Sequence, residues 1–505
     1  VPVRDVALSV DRRTLTLHAP LQAAMMVRLQ LSGLRGADGA PLLHDEFAYA
    51  INQLPEGPRT ELMIAKVVEP PPPREVGEEG WLRLTFLDAL GQWDSQGWSL
   101  VDADLDPHDP TKLLIAKGDN SLVNVPTGVP DAVHSGPPGA AATDFTSKPV
   151  FGEGRYHVEY MLPEGGRTTV WLMGRYGLDL PDGKSAAEAA VGPAGTRHGA
   201  VLATAKDPER EPALDAYFDA GQWHELDVIL TPPRFDAAGS KLADARIERV
   251  LLDDVLLHEG VDLSGPCVGA PLAGQPEAAT GPLVISGTRG ACALREIRVR
   301  PVQPVDEAGW VPLFNGQDLG GWRVSTETTA DNTPLPAGTT FTAADEDAAE
   351  KTGWSVENGM LVGRGPTSHL FSPRGDFKDL EVRASLRISD KGNSGLYFRT
   401  TFGPGWPDGY EAQVNSSMED PQKTGSLYGL SPVTTSLVGP DTWFEYRVRC
   451  VDEAAGTHVT ISVNGTVITD FVDKDRKHAA GHIALQQHND GSVVECRRLE
   501  EREAR

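Results

Sequence analysis

The sequence predicts an all-β protein: two β-sandwich domains in tandem behind a short N-terminal β segment. Three features lead there. Gly (53) and Pro (39) are abundant among the 505 residues, as in chains with many tight turns. Apolar and polar residues alternate with period two in many short runs, the pattern of half-buried strands. The same series of runs also recurs in two parts of the chain, so one ancestral unit has been duplicated. At this length two or three separate cores are expected.

Residues 1–66 alternate at Leu15–Leu17 and Val27–Leu31 but hold few strands, and read as the tail of a larger β domain. Residues 67–80, "VVEPPPPREVGEEG", join a Pro run to acidic residues and make a stiff, solvated linker. The first sandwich spans 81–301, with "GRYHVEYMLPEGGRTTVWLMG", "QWHELDVIL" and "GPLVISGTRGACALREIRVRP" among its runs. A second linker at 302–309 leads to the second sandwich, 310–505. There "KDLEVRASLRISDKGNSGLYFRT", "TWFEYRVRC" and "GHIALQQHNDGSVVECRRLEE" follow in the same order, and Trp223 and Trp443 open equivalent runs. Leu380, Val382, Ala384, Leu386 and Ile388 should face one side of their strand, with Glu381, Arg383, Ser385 and Arg387 on the other. Asn358-Gly359 and Asn464-Gly465 lie between apolar runs and predict two-residue hairpins, because both residue types accept φ > 0. Asn464-Gly465-Thr466 also has the form of a glycosylation acceptor, but the turn reading takes precedence.

A net charge of −26 excludes sequence-independent binding of nucleic acid, and no apolar run approaches the roughly 20 residues that span a bilayer, so no membrane insertion is expected. The chain begins Val-Pro and is expected to be a processed product. Cys267, Cys292, Cys450 and Cys496 form no CxxC pair; two disulfides or four buried thiols both fit.

The segments "LFNGQDLGGW", "WSVENGMLVG", "GNSGLYFR", "YEAQV", "GSLYGL" and "IALQQHNDG" follow one another through residues 308–500. In that order they resemble the 3-keto-disaccharide hydrolase domain family. The first sandwich resembles the same family through "GQWHELDVILTPPRFDAAGSKLADARIERVLLDDVLLHEG" and "GPLVISG". The resemblance implies a concanavalin A-like jelly roll in each copy, a periplasmic or extracellular location, a carbohydrate ligand, and cleavage of 3-keto-glycosides. That chemistry has a clear logic. A ketone at C3 acidifies the hydrogen on C2, a base removes it, the enolate expels the C1 oxygen, and water adds to the unsaturated sugar. The site needs a base, a donor or cation for the enolate oxygen, and an acid for the leaving oxygen.

On this reading Glu411 or His488 is base or acid, and Arg399 is the electrostatic partner, being always charged. Asn393, Gln413 and Gln486 position the sugar, while Trp406, Tyr410 and Tyr428 supply further substrate contacts. Glu411 and Gln413, two apart in "YEAQV", share a strand face, with Tyr410 and Ala412 on the other. In the first copy Tyr176-Gly177-Leu178-Asp179 stands where the second has Tyr410 to Gln413, and Ser286-Gly287-Thr288 where it has Gln486 to His488. Gly and Thr cannot replace Glu and His in proton transfer, so the first copy is expected to be degenerate and the second active. "LQQHNDGS" departs from the family's LQDHG-like pattern, with Gln487 in place of an Asp beside His488. The residues fix no cofactor, and a divalent cation is one option. The candidates for one are Asp102, Asp104 and Asp106 of "DADLDPHDP", although Pro107 and Leu113 stand where an EF-hand needs Gly and Glu. Two further readings remain: a non-catalytic, lectin-like carbohydrate-binding protein, and a structural or docking module of a larger exported assembly.

Overall fold

In a computed structural model the chain is all-β, with no helix among its described residues. Those residues are 79–504 apart from 86–89, 95, 125–131, 136–142, 183–198, 213–219, 237, 288–290, 303–307 and 327–351, together with the backbone of four strands before residue 79. The early strands pair as two hairpins, Asp5–Leu8 with Leu15–His18 and Met25–Gln30 with Glu46–Ile51. The two early hairpins and the sandwiches fall in separate compact units, the second starting at Gly77. Most of the Pro-rich linker lies outside the described residues.

Two sheets make the first sandwich. One runs in the order Ala200–Val201, Tyr176–Pro181, Arg167–Leu172, Gly281–Ile285, Phe145–Phe151, Trp93–Asp94. The facing sheet is built on Gly154–Met161, which pairs with both Trp223–Thr231 and Ala293–Pro301. The second sandwich repeats the plan. Its larger sheet centres on Leu380–Ile388, paired with Phe444–Glu453 and Val493–Glu503. Its smaller sheet runs Arg323–Thr326, Ser368–Phe371, His482–Gln487, Asn393–Thr401, Asp408–Asn415. All registered pairs are antiparallel, as expected where hairpins and not crossover helices connect strands.

The alternation read from the sequence sets the core. Leu380, Val382, Ala384, Leu386 and Ile388 are all buried between the sheets. On the outward face Glu381 accepts from Arg447 and Arg502, while Arg383, Arg447 and Arg502 stack on Trp310. Trp223 and Trp443 hold equivalent places, each covered by an arginine at 4.5 Å, Arg295 and Arg497. Asn358 and Asn464 adopt φ of 52° and 48° and are followed by glycines at 80° and 81°, the two-residue hairpins expected. Asn464 is fully buried, with Nδ2 donating to Trp81 O and Oδ1 accepting from Glu445 N, which leaves it closed to glycosylation in the folded chain.

All four cysteines are free and buried, so the disulfide alternative is not realised. The aspartates proposed for a cation each accept backbone hydrogen bonds. Asp102 accepts from the amides of Asp119 and Asn120, Asp104 from Leu105, and Asp106 from His108.

Candidate functional site

The outer face of the smaller sheet in the second sandwich carries the site. In register, Tyr397 lies opposite Ala484 on one side and Glu411 on the other, while His369 lies opposite Gln486. Period two then puts Asn393, Gly395 and Tyr397 on one face, with Gln413 and Glu411 from one neighbouring strand and Gln486 from the other. Leu396, Leu485, Ala412 and Tyr410 point into the core instead, where all are buried.

A hollow at Gly395 organises these groups. A β-carbon there would stand 2.3 Å from Glu411 Oε1 and 2.9 Å from its Cδ, so the carboxylate lies over the glycine. Tyr397 donates its hydroxyl to Glu411 Oε2 at 2.8 Å. Gln486 Nε2 donates to that same hydroxyl at 3.1 Å and to His369 Nε2 at 3.3 Å. Burial pushes the Glu411 carboxyl up to about 7, against the lowering effect of the Tyr397 hydrogen bond and with help from Asp420. It can therefore hold or release a proton near neutral pH, as a general base should. His369, 1% exposed, is driven down to about 3 by burial and by neighbouring His488, and stays neutral.

Two exposed aromatic rings flank this hydrogen-bonded row. Trp406, 54% exposed, has its centroid 5.3 Å from His488 and 5.7 Å from His369. Tyr428, 41% exposed, donates its hydroxyl to Asp420, and its backbone N–H donates to Glu411 O. His488 follows directly on the His482–Gln487 strand, half-buried, with Nδ1 3.0 Å from Asn489 Oδ1. Asn489 thus orients the ring that the missing aspartate would have held. Gln487 turns the other way and donates to the carbonyls of Gly365, Asn489 and Ser492. Two buried acceptors on the face, Asn393 Oδ1 and Gln486 Oε1, have no protein partner.

Of the residues expected from sequence, the structure gathers Glu411, Gln486, Gln413 and Asn393 on this face, with Trp406, His488 and Tyr428 around it. Two are corrected. Arg399 is fully buried away from the face. Its strand bulges between Phe398 and Thr401, and Arg399 itself takes φ 47°, which breaks the alternation that would have set it beside Tyr397. Its guanidinium binds Asp452 at 2.9 Å, Asp379 at 3.2 Å and two backbone carbonyls. Tyr410 is a core residue, stacked on Phe398 and donating to Asp473 at 2.5 Å. Sequence reasoning missed Tyr397 and His369. Tyr397 lay inside the quoted "GNSGLYFR", and pairing that run with "YEAQV" would have set it against Glu411.

The first sandwich is filled at the equivalent strand positions. Trp171 lies opposite Gly177 and Val284, as Tyr397 lies opposite Glu411 and Ala484. Next to that pair, Asp179 is buried and bound by Arg167 and Thr169. Among the described residues, one group brings three histidine or carboxylate ligand atoms within 4.8 Å of one another: His157, Glu159 and Glu296, in the first sandwich. Arg295 pairs with Glu159 and Arg298 with Glu296, and Asp227 draws His157 from the other side with Arg155 behind it. Three guanidiniums already neutralise three carboxylates there, so a dication would add uncompensated positive charge.

The fold and the exposed aromatics around a polar, outward sheet face define a carbohydrate-active or carbohydrate-binding sandwich protein. The 3-keto-alpha-glucoside-1,2-lyase-like domain matches residues 88–300 and again 309–500, and the chain belongs to that family in two tandem copies. Among solved structures it is similar to a protein of Parabacteroides distasonis ATCC 8503 whose name assigns it to the glycosyl hydrolases. That match has 20% identity and a TM-score of 0.29, over 40% of this chain and 100% of that one. It is also similar to the carbohydrate recognition domain of Emp47p, at 15% identity and a TM-score of 0.26, over 40% of this chain and 100% of that one. No curated protein matches.

Proposed function

We propose that the second sandwich cleaves 3-keto-glycosides by elimination and hydration, with Glu411 as the base. The observation that carries this reading is the Glu411 carboxylate itself. It is laid over the Gly395 hollow, held by Tyr397, and poised near neutral pH between two exposed aromatic rings. Glu411 removes the proton from C2 of the 3-keto sugar, and the C2 electron pair becomes the enolate, with charge on the C3 oxygen. Collapse of the enolate forms the C1–C2 double bond and breaks the C1–O bond. The departing oxygen takes a proton, for which His488 on the Trp406 side is the available donor. Water then adds its oxygen to C1, its released proton restoring His488, while Glu411 returns its proton to C2.

Incubation with 3-keto-glucosides, with and without added divalent cation, tests this beside Glu411→Gln. Sugar release that vanishes in the variant supports the reading; no release at high enzyme concentration overturns it. The second reading, a lectin-like site without chemistry, is favoured by the exposure of Trp406 and Tyr428. It predicts binding of unoxidised glycosides that survives Glu411→Gln.

A further inference from the structure

We propose that His369 is a positioning residue: by accepting from the Gln486 amide it fixes the direction of the hydrogen-bond chain that ends on Glu411. This rests on the reading of Glu411 as the base. The chain is continuous, from His369 Nε2 to Gln486 Nε2 at 3.3 Å, on to the Tyr397 hydroxyl at 3.1 Å, and on to Glu411 Oε2 at 2.8 Å. All four side chains sit on one sheet face, and His369, Gln486 and Tyr397 are almost wholly buried.

A primary amide offers two donors on nitrogen and only acceptors on oxygen, so turning it over reverses every bond it makes. With Gln486 Nε2 inward, its two N–H groups are used by His369 and Tyr397. The Tyr397 hydroxyl, already an acceptor, must then donate to Glu411. The loss is one unpartnered acceptor, Gln486 Oε1, which faces no protein donor. With the amide reversed, Oε1 accepts from both His369 Nε2–H and the Tyr397 hydroxyl. Two N–H donors then take the place where Oε1 now has no partner, and Glu411 loses the donor on Oε2. Buried N–H groups left without an acceptor are rarer than under-used carbonyl oxygens, so the first direction is preferred as long as His369 Nε2 carries no proton.

Burial beside His488 keeps the His369 ring uncharged, so it carries a single proton, and with that proton on Nδ1 the Nε2 lone pair is free to accept from the Gln486 amide. The groups that bear on Glu411 are Tyr397 from its own sheet and Asp420 from the loop that carries Tyr428; those on His369 are His488 and the Trp406 ring.

The test compares His369→Phe, His369→Gln and Tyr397→Phe, all on the full chain. The readouts are the pH profile of kcat/KM on a 3-keto-glucoside and the carboxyl titration of Glu411 by carbon-13 NMR, assigned against Glu411→Gln. Phenylalanine fills the buried site without accepting. The acid limb and the Glu411 titration should both rise by about one pH unit, the size of one lost hydrogen bond to a charged group, with kcat/KM falling about fivefold at pH 7 and about tenfold well below it. Glutamine places an amide oxygen near the lost Nε2 and should return both toward the parent. Adding His369→Phe to Tyr397→Phe should produce no further shift, because the chain is already cut. A His369→Phe protein that folds and leaves the Glu411 titration in place overturns the inference, as does an additive double variant. Absence of turnover in the parent sinks the proposed reaction alone, since the carboxyl titration still reads the chain.

Discussion

Gly395→Ala isolates the geometry of the base. The added methyl would sit 2.3 Å from Glu411 Oε1 and 2.9 Å from Cδ and Cγ, where ordinary contact begins at 3.4 Å. The carboxylate must move by about 1 Å, and a displacement of that size at a reacting group costs about 10²-fold in rate. The backbone itself accepts alanine, since Gly395 is not among the glycines with positive φ. Removing glycine from the unfolded ensemble stabilises by about 0.4–1 kcal/mol. The weakened Tyr397–Glu411 hydrogen bond costs about 1.5–3 kcal/mol, so the net loss of stability is only one or two kcal/mol. The expected variant is therefore folded and poorly active. Steady-state kinetics on a 3-keto-glucoside, beside a thermal melt, would show kcat/KM lower by about two orders of magnitude with a modest fall in Tm. A variant that keeps kcat/KM within threefold of the parent would refute the claim that the Gly395 hollow positions the base.

Four further outcomes follow from the same structure. On the proposed reaction Glu411 must be ionised to act, so kcat/KM should rise with pH through about 7. The raised carboxyl also binds its proton more tightly in the folded state, so its favourable contribution is complete below its unfolded value and lost as pH rises through 7. Glu411→Gln should accordingly gain on the parent in chemical denaturation at pH 8, by up to about 3 kcal/mol, with the gap closing toward pH 4. Arg399→Met removes the cation that Asp379 and Asp452 share, although Lys378 and Arg476 still face Asp452, and stability should fall by about 1.5–3 kcal/mol while the folded fraction keeps its kcat; a selective loss of kcat would return Arg399 to the chemistry. The thiols of Cys292, Cys450 and Cys496 are pushed to about 12 and that of Cys267 to about 11 by burial, so a thiol reagent should find none in the native protein and four in denaturant.

The fold was legible because two-sided strands leave a period-two trace, and the same trace set Glu411 and Gln413 on one face. The site was only half legible, for identifiable reasons. Alternation carried along the Asn393–Thr401 strand puts Arg399 beside Tyr397, but a bulge intervenes, and nothing in "YFRTTF" announces a left-handed arginine. Tyr397 was hidden by register: six residues separate its strand from Asp408–Asn415, too long a loop for turn type to fix the pairing. His369 was hidden by distance, since it reaches Gln486 across 117 residues of sequence and its own run, "SHLF", is only four residues long. Local pattern shows which face a residue takes, whereas a site built from three strands depends on which strands are neighbours.

The two copies reach opposite results by exchanging one glycine between neighbouring strands. In the second, Gly395 beside Tyr397 leaves room for the carboxylate of Glu411. In the first, the position paired with Asp179 is Thr169, and the glycine stands at 177, opposite Trp171. A β-carbon at Gly177 would lie 2.6 Å from Trp171 Cζ3 and 2.8 Å from Leu202 Cδ1, so the indole occupies the volume a carboxylate would need. Trp171 Nε1 donates to Ser286 Oγ at 3.0 Å, and its ring packs with Cys267, Ala270, Val284 and Leu202, an apolar plug where the second copy holds a hydrogen-bonded row. Gly177→Glu alone should therefore destabilise the first sandwich by the few kcal/mol of overpacking and an unpaired buried charge, and add no activity. Circular dichroism melts and turnover by a Glu411→Gln background would show it. Turnover gained from Gly177→Glu in that background would mean that the indole yields, and that the first copy is a silenced site instead of a filled one.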